Sequence, residues 1–193
     1  MKTALVHMPF TSLNTLNKAV FIDRDGVVNE LVDRGDNFFV AGKLIRWTAP
    51  WRLEELRVYS DAKAAIALMK EKGYLTILVT NQPDIATGNM KSQDFALITR
   101  AIKALSLDAV YACLHHPKRG CFCHKPAPGL LYAAGVAYSV DPQLSYMIGD
   151  RETDVEAGKA AGVRTIRVTE SDDVVTAADH RVRGIMEAAL LLP

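Results

Sequence analysis

The feature that most restricts this chain is an alternation. A short apolar run of β-favouring residues leads into a polar turn, a stretch with helical spacing follows, and the cycle repeats. The runs are Ala19 to Ile22, Leu75 to Val79, Ala109 to Ala112, Tyr146 to Ile148 and Thr165 to Val168. Between them, Ala62, Ala65, Ile66 and Met69 recur at helical spacing behind Ser60 or Asp61 and stop at Gly73, and Phe95, Ile98, Ile102 and Leu105 repeat the pattern behind Ser92. Pro128 opens a third helix towards Tyr138, Glu152 to Ala161 forms a fourth closed by Gly162, and Gly184 to Leu192 forms a fifth. Strand followed by helix, repeated, predicts an α/β fold: a three-layer, Rossmann-like parallel sheet with helices on both faces.

The 193 residues fit one domain, 1–193. Residues 1–18 read as an N-terminal arm or edge strand. Residues 31–58 hold Phe38, Phe39, Trp47 and Trp51 without a clear period. They read either as a hairpin whose aromatics pack on the body or as a lid over substrate.

Composition serves to exclude. With 23 Lys and Arg against 22 Asp and Glu, spread along the chain, there is no electrostatic footprint for nucleic acid or an anionic membrane. No run approaches the ~18 apolar residues of a membrane span. Three cysteines in a chain of this size do not make a disulfide framework, so a reducing compartment, the cytoplasm, is expected.

Open parallel sheets bind ligands at the carboxyl ends of their strands, and the polar residues cluster there. Ile22 leads into Asp23-Arg24-Asp25-Gly26, Val79 into Thr80-Asn81-Gln82, Ala112 into a Cys/His cluster ending at Lys125, and Ile148 into Gly149-Asp150-Arg151-Glu152-Thr153-Asp154. Asp23 and Asp25, two apart, suit a division of labour in which one carboxylate attacks phosphorus and the other handles the proton of the leaving oxygen. Carboxylates facing a phosphate dianion require a cation, and Mg²⁺ fits their hard oxygens. Thr80 and Asn81 offer donors to phosphoryl oxygens, and Lys125 offers a charge. Asp150 is placed to complete the cation site. Asp154 reads either as an orienting group behind the metal or as a helix cap.

The order of these motifs resembles the haloacid dehalogenase superfamily of phosphotransferases, with all four motifs present between Ala19 and Val168. The resemblance implies that Asp23 is the nucleophile, that Asp25 is the general acid/base, and that Thr80 and Lys125 hold the phosphoryl group. Mg²⁺ would take the side chains of Asp23 and Asp150 and the backbone carbonyl of Asp25. An acid at position 25 implies phosphate ester hydrolysis.

Cys113, His115, Cys121 and Cys123 read as Cys-x-His-x₅-Cys-x-Cys, a closed set of the kind structural Zn²⁺ prefers, with His116 as the alternative imidazole. Such a loop, residues 113–125, running into Lys-Pro resembles the branch of the superfamily with small caps that holds the heptose bisphosphate and histidinol-phosphate phosphatases. A small phosphorylated sugar is then the expected partner, with histidinol phosphate as the alternative. The sequence departs from that branch twice. His124 stands where the branch usually has Arg and would take part in substrate binding, and the Trp-bearing stretch replaces a short Gly-Tyr-Val segment. Arg34, Arg46 and Arg52 of that stretch are candidates for the missing grip. A catalytically silent phosphate-binding module is the competing expectation, against which the intact acids at 23, 25 and 150 argue.

Overall fold

The computed structural model describes residues 16–40 and 43–193, without the side chains of Val40 and Lys43. The arm expected over 1–18 lies outside this range except for its last three residues, where Asn17 bridges to Val140. In chain order the elements are β1 (Ala19–Ile22), β2 (Val32–Asp33), β3 (Phe39–Val40), β4 (Lys43–Leu44), β5 (Trp47–Thr48), α1 (Ala62–Glu71), β6 (Leu75–Asn81), α2 (Asp84–Thr87) and α3 (Ser92–Lys103). They continue as β7 (Ala109–Cys113), α4 (Gly129–Ala137), β8 (Tyr146–Gly149), α5 (Glu152–Ala160), β9 (Arg164–Val168), β10 (His180–Val182) and α6 (Ile185–Leu191).

Six strands form one sheet in the order β10-β9-β8-β1-β6-β7, and every pairing is parallel. Alternate residues of β1 feed opposite faces. Val20 and Ile22 join Leu78, Ile148 and Ile166 under Ala65, Ile66, Ile98 and Ala188, which come from α1, α3 and α6. Ala19 and Phe21 join Ile77, Val79 and Met147 under Leu131, Ala134 and Ala157, which come from α4 and α5. The three layers expected from the alternation are present. Because both faces are covered, strand interiors are apolar and polar groups collect at the ends.

The strand order places the site. The chain leaves β1 towards β6 and β7, then returns to the other side for β8, β9 and β10, so the direction reverses between β1 and β8. Such a reversal opens a crevice at the carboxyl ends. The four strands that carry the motifs, β8, β1, β6 and β7, are consecutive neighbours.

β6 and β7 run further than the apolar runs, because Asn81 still pairs with Cys113. β10 has no apolar run to announce it: His180 and Arg181 are exposed and Val182 alone is buried, as an edge strand allows. Residues 31–58 fold as nested antiparallel ribbons, β2 with β5 and β3 with β4. Arg34 ties this insertion together. It ion-pairs with Glu55 at 2.7 Å, donates to Thr48 Oγ1 at 2.9 Å and lies 4.1 Å over the Trp51 ring.

Candidate active site

Asp23 follows the last residue of β1, and its backbone N–H donates to Ile148 O of β8 at 2.9 Å, which fixes it across the reversal. Its carboxylate lies 2.8 Å from Lys125 Nζ. The same ammonium is 2.6 Å from Asp154 Oδ1 and donates to Val79 O at 3.0 Å. Lys125 is itself held by Asn81, whose amide accepts from Lys125 N at 3.0 Å and donates to Lys125 O at 3.1 Å. The lysine therefore has one buried position between two acids. Asn81 acts in this structure on the lysine's backbone.

Carboxylate oxygens of Asp23, Asp150 and Asp154 lie within 4.8 Å of one another. Two glycines allow this approach. A Cβ on Gly149 would sit 2.2 Å from Asp154 Cβ, and one on Gly26, at φ +82°, would sit 2.4 Å from Asp150 Oδ2. Asp154 also accepts from Arg151 N at 3.0 Å, so it caps α5 and pairs with Lys125 at once. The helix-capping alternative left by the sequence is therefore met, and the same carboxylate is also the partner of a buried lysine.

The crowding has an electrostatic cost. Burial pushes the Asp23 carboxyl up to about 7, against the pull of Lys125 and helped by Asp154, Asp150 and Asp25. Burial, then Asp154, pushes Asp150 up to about 6. Lys125 stays charged because Asp23 and Asp154 outweigh its burial and raise its pKa. Asp150 Oδ1 is buried with no hydrogen-bond partner. An unpaired buried oxygen beside two more carboxylates is the donor set of a hard cation, so these residues fit Mg²⁺.

Asp25 is set apart from that trio. Arg24 binds both of its oxygens at 3.0 Å, Gln82 Nε2 donates to Oδ2 at 2.7 Å and Asn29 Nδ2 to Oδ1 at 3.1 Å. Arg24 Nη2 also donates to Gln82 Oε1 at 2.8 Å, and Gln82 Nε2 to Thr80 Oγ1 at 2.9 Å. Sequence reasoning gave Arg24, Asn29 and Gln82 no role. Their only signal was position beside the motifs, for nothing in the residue types tells that Arg24 is 1% exposed.

The sulfur ligands also converge. The Cys113, Cys121 and Cys123 thiols are 3.2–3.6 Å apart, and His115 Nδ1 lies 3.1 Å from Cys123 Sγ and 3.6 Å from Cys113 Sγ. Tetrahedral Zn–S bonds of ~2.3 Å would separate sulfurs by about 3.8 Å, so the four groups fit Zn²⁺ with a small expansion. His115 is the imidazole in this set, while His116 accepts from Lys118 N at 3.2 Å. His124 places Nδ1 3.7 Å from Cys113 Sγ, and burial, then Lys125, lowers its pKa, so it is a neutral imidazole beside the cluster.

A cleft of about 520 Å³ joins these parts. Asp23, Asp25, Thr80, Asn81, His124, Lys125 and Asp154 line it, together with Trp47 and Trp51 of the insertion and Lys118 of the Cys/His loop. Arg34, Arg46 and Arg52 do not line it. Arg34 is taken by Glu55, and Arg46 by Asp33 and Asp36.

Residues 122–186 match the HAD-hydrolase-like family model. The chain is 30% identical over 191 residues to the D-glycero-β-D-manno-heptose-1,7-bisphosphate 7-phosphatase of Pasteurella multocida, covering 92% of this chain and 96% of that one. To the same-named protein of Yersinia pestis it is 34% identical, covering 82% and 84%. The chain belongs to the haloacid dehalogenase-like hydrolases, in the group of these phosphatases. The fold agrees: a D,D-heptose 1,7-bisphosphate phosphatase from B. bronchiseptica, crystallised with magnesium and phosphate, superposes with a TM-score of 0.73 at 25% identity, covering 90% of this chain and 96% of that one.

Proposed function

We propose that this chain is, as one catalytic domain, a Mg²⁺-dependent phosphomonoesterase that removes the 7-phosphate of D-glycero-D-manno-heptose 1,7-bisphosphate. The observation that carries the reading is the Asp23 carboxylate ion-paired to Lys125 at 2.8 Å beside Asp150 and Asp154, at the point where the sheet reverses. Its relatives' shared name supplies the sugar.

Asp23 attacks phosphorus through a carboxylate oxygen as the bond from phosphorus to the sugar oxygen breaks. The departing oxygen keeps the electron pair and takes the proton of Asp25, leaving an aspartyl phosphate on Asp23. Water then gives a proton to Asp25 and attacks phosphorus, and Asp23 and phosphate are released. Arg24, Gln82 and Asn29 hold Asp25 where both transfers occur. Thr80 and Lys125 bear on the phosphoryl oxygens, with Asn81 fixing the lysine. Asp23, Asp150 and the Asp25 carbonyl would hold Mg²⁺, with Asp154 behind them, and the ion would supply charge neutralisation. Cys113, His115, Cys121 and Cys123 would hold Zn²⁺ as a structural staple. The three cysteines are free thiols, which supports a cytoplasmic location. Among the described residues no helix is long and apolar enough to cross a membrane.

Asp23→Asn is expected to lower phosphate release from the heptose bisphosphate by about 10³-fold or more, with an unchanged circular dichroism spectrum. Wild-type turnover in that variant overturns the nucleophile. Faster hydrolysis of histidinol phosphate than of the heptose bisphosphate by the unaltered protein overturns the substrate.

A further inference from the structure

The cleft has two unlike kinds of lining. Leu31, Ile45, Trp47 and Trp51 come from the ribbons of residues 31–58, and Lys118 and Arg151 come from the Cys/His loop and from the turn after β8. We propose that Trp47 and Lys118 select the substrate: Trp47 as the platform for the carbohydrate ring, and Lys118 as the cation that takes the anionic group not being hydrolysed. The assignment rests on the phosphatase reading above and adds two residues to it.

Trp47 is 48% exposed although it borders a cleft, so much of a large apolar ring is open to a ligand. The ring is not loose. Trp47 pairs with Asp33 in the β2–β5 ribbon, and the Arg46 guanidinium sits 5.3 Å from its centroid while bonded to Asp33 and Asp36. A pyranose offers a face of C–H groups that packs on such an indole, and its hydroxyls stay free for water or polar partners.

Charge narrows the second part. Of the cations that line the cleft, Lys125 is spent on Asp23 and Asp154, and Arg151 lies 4.0 Å from Asp150. The arginines of the insertion are outside the lining, and Arg34 and Arg46 are already paired. Lys118 has no carboxylate within ion-pair distance among the described residues, where the other two lining cations do. Its backbone is fixed by the single turn Pro117–Arg119 and by the bond from its N–H to His116 Nδ1. A flexible ammonium on a fixed stem, beyond the buried phosphoryl site, suits a phosphate at the far end of a sugar. It does the work expected of an arginine at position 124 from a different place on the same loop.

Kinetics on three substrates test this. Acetyl phosphate carries neither ring nor second phosphate, heptose 7-phosphate carries the ring alone, and the heptose 1,7-bisphosphate carries both. Trp47→Ala is expected to lower kcat/KM about tenfold more on the bisphosphate than on acetyl phosphate, mainly through KM, and Trp47→Phe is expected to recover most of the loss. Lys118→Met is expected to lower kcat/KM about tenfold more on the bisphosphate than on heptose 7-phosphate. Equal losses on both members of either pair overturn the corresponding assignment, and so does failure of Trp47→Phe to recover. An unaltered protein inert towards all three compounds overturns the phosphatase reading itself, and this assignment with it.

Discussion

Among the described residues there are two close-set groups of ligand atoms, and they are built in opposite ways. Asp23, Asp150 and Asp154 project from the ends of β1 and β8 and from the first turn of α5, so mutually hydrogen-bonded strands hold them before any ion arrives. Cys113, His115, Cys121 and Cys123 come from the end of β7 and a loop whose regular structure is the single turn Pro117–Arg119. In the first group the backbone sets the geometry and the charges resist it. In the second the ligands have little frame beyond themselves. A cation would relieve repulsion at the carboxylates, whereas at the thiols it would supply the frame.

The backbone frame of the acidic group is most vulnerable at Gly149. Gly149→Ala places a methyl 2.2 Å from Asp154 Cβ, an atom too near its backbone to swing away. Displacing Asp154 releases Lys125 from one of its two ion pairs. Activity should fall about a hundredfold, and stability by about 1–3 kcal/mol, read by phosphate release and urea unfolding. Wild-type values for both would show that the acidic group is less rigid than its strands.

Removal of the Zn²⁺ proposed for the thiol group is the next largest expected effect. Far-UV circular dichroism should stay nearly constant, because the sheet does not depend on residues 114–124. In contrast, kcat/KM on the heptose bisphosphate should fall about tenfold, since Lys118 and His124 ride on that loop. Unchanged kinetics after verified zinc loss would mean that the loop holds its shape without its metal.

The two groups also differed in how plainly the sequence announced them. The thiol set is local, four ligands within eleven positions, and spacing alone selects it. The acidic set spans residues 23 to 154, and only the expectation of a parallel sheet brings its members together. That expectation was readable because five of the six strands appear as apolar runs, with β1, β6 and β8 at the centre buried almost throughout. β10, with two exposed polar residues, does not. Residues 31–58 were expected as a hairpin or a lid, but the strands of their ribbons could not be placed, for a related reason. Their strands are two residues long, too short to show a period, and they are held by Arg34, Glu55 and Trp51 through contacts that spacing does not encode. Arg24 and Gln82 were hidden by burial: a charged residue after a strand reads as solvated, yet Arg24 is enclosed with Asp25 and Gln82.

The last expected effect comes from pH, is read as a shift in Tm, and separates the two groups by sign and range. Asp23 is raised to about 7 and Asp150 to about 6 in the folded protein, against 3.8 for an unperturbed aspartate. Between about pH 4 and 7 the unfolded chain has lost these protons and the folded chain still holds them, so without Mg²⁺ stability falls as pH rises through that window and then levels off. Mg²⁺ takes the ionised carboxylates, so the gain in Tm on adding it should grow from pH 5 to about 7 and be flat above. The thiols behave otherwise. Burial pushes Cys113 up to about 12, so Zn²⁺ must displace a proton there throughout the neutral range, and zinc affinity should keep rising beyond pH 8. Thermal melts of chelated and Mg²⁺-loaded protein, paired with competitive zinc titrations over the same pH values, read both trends. A Mg²⁺ gain that stays constant from pH 5 to 8 would mean that the carboxylates are already ionised without the ion. The repulsion ascribed to the strand-end site would then be absent.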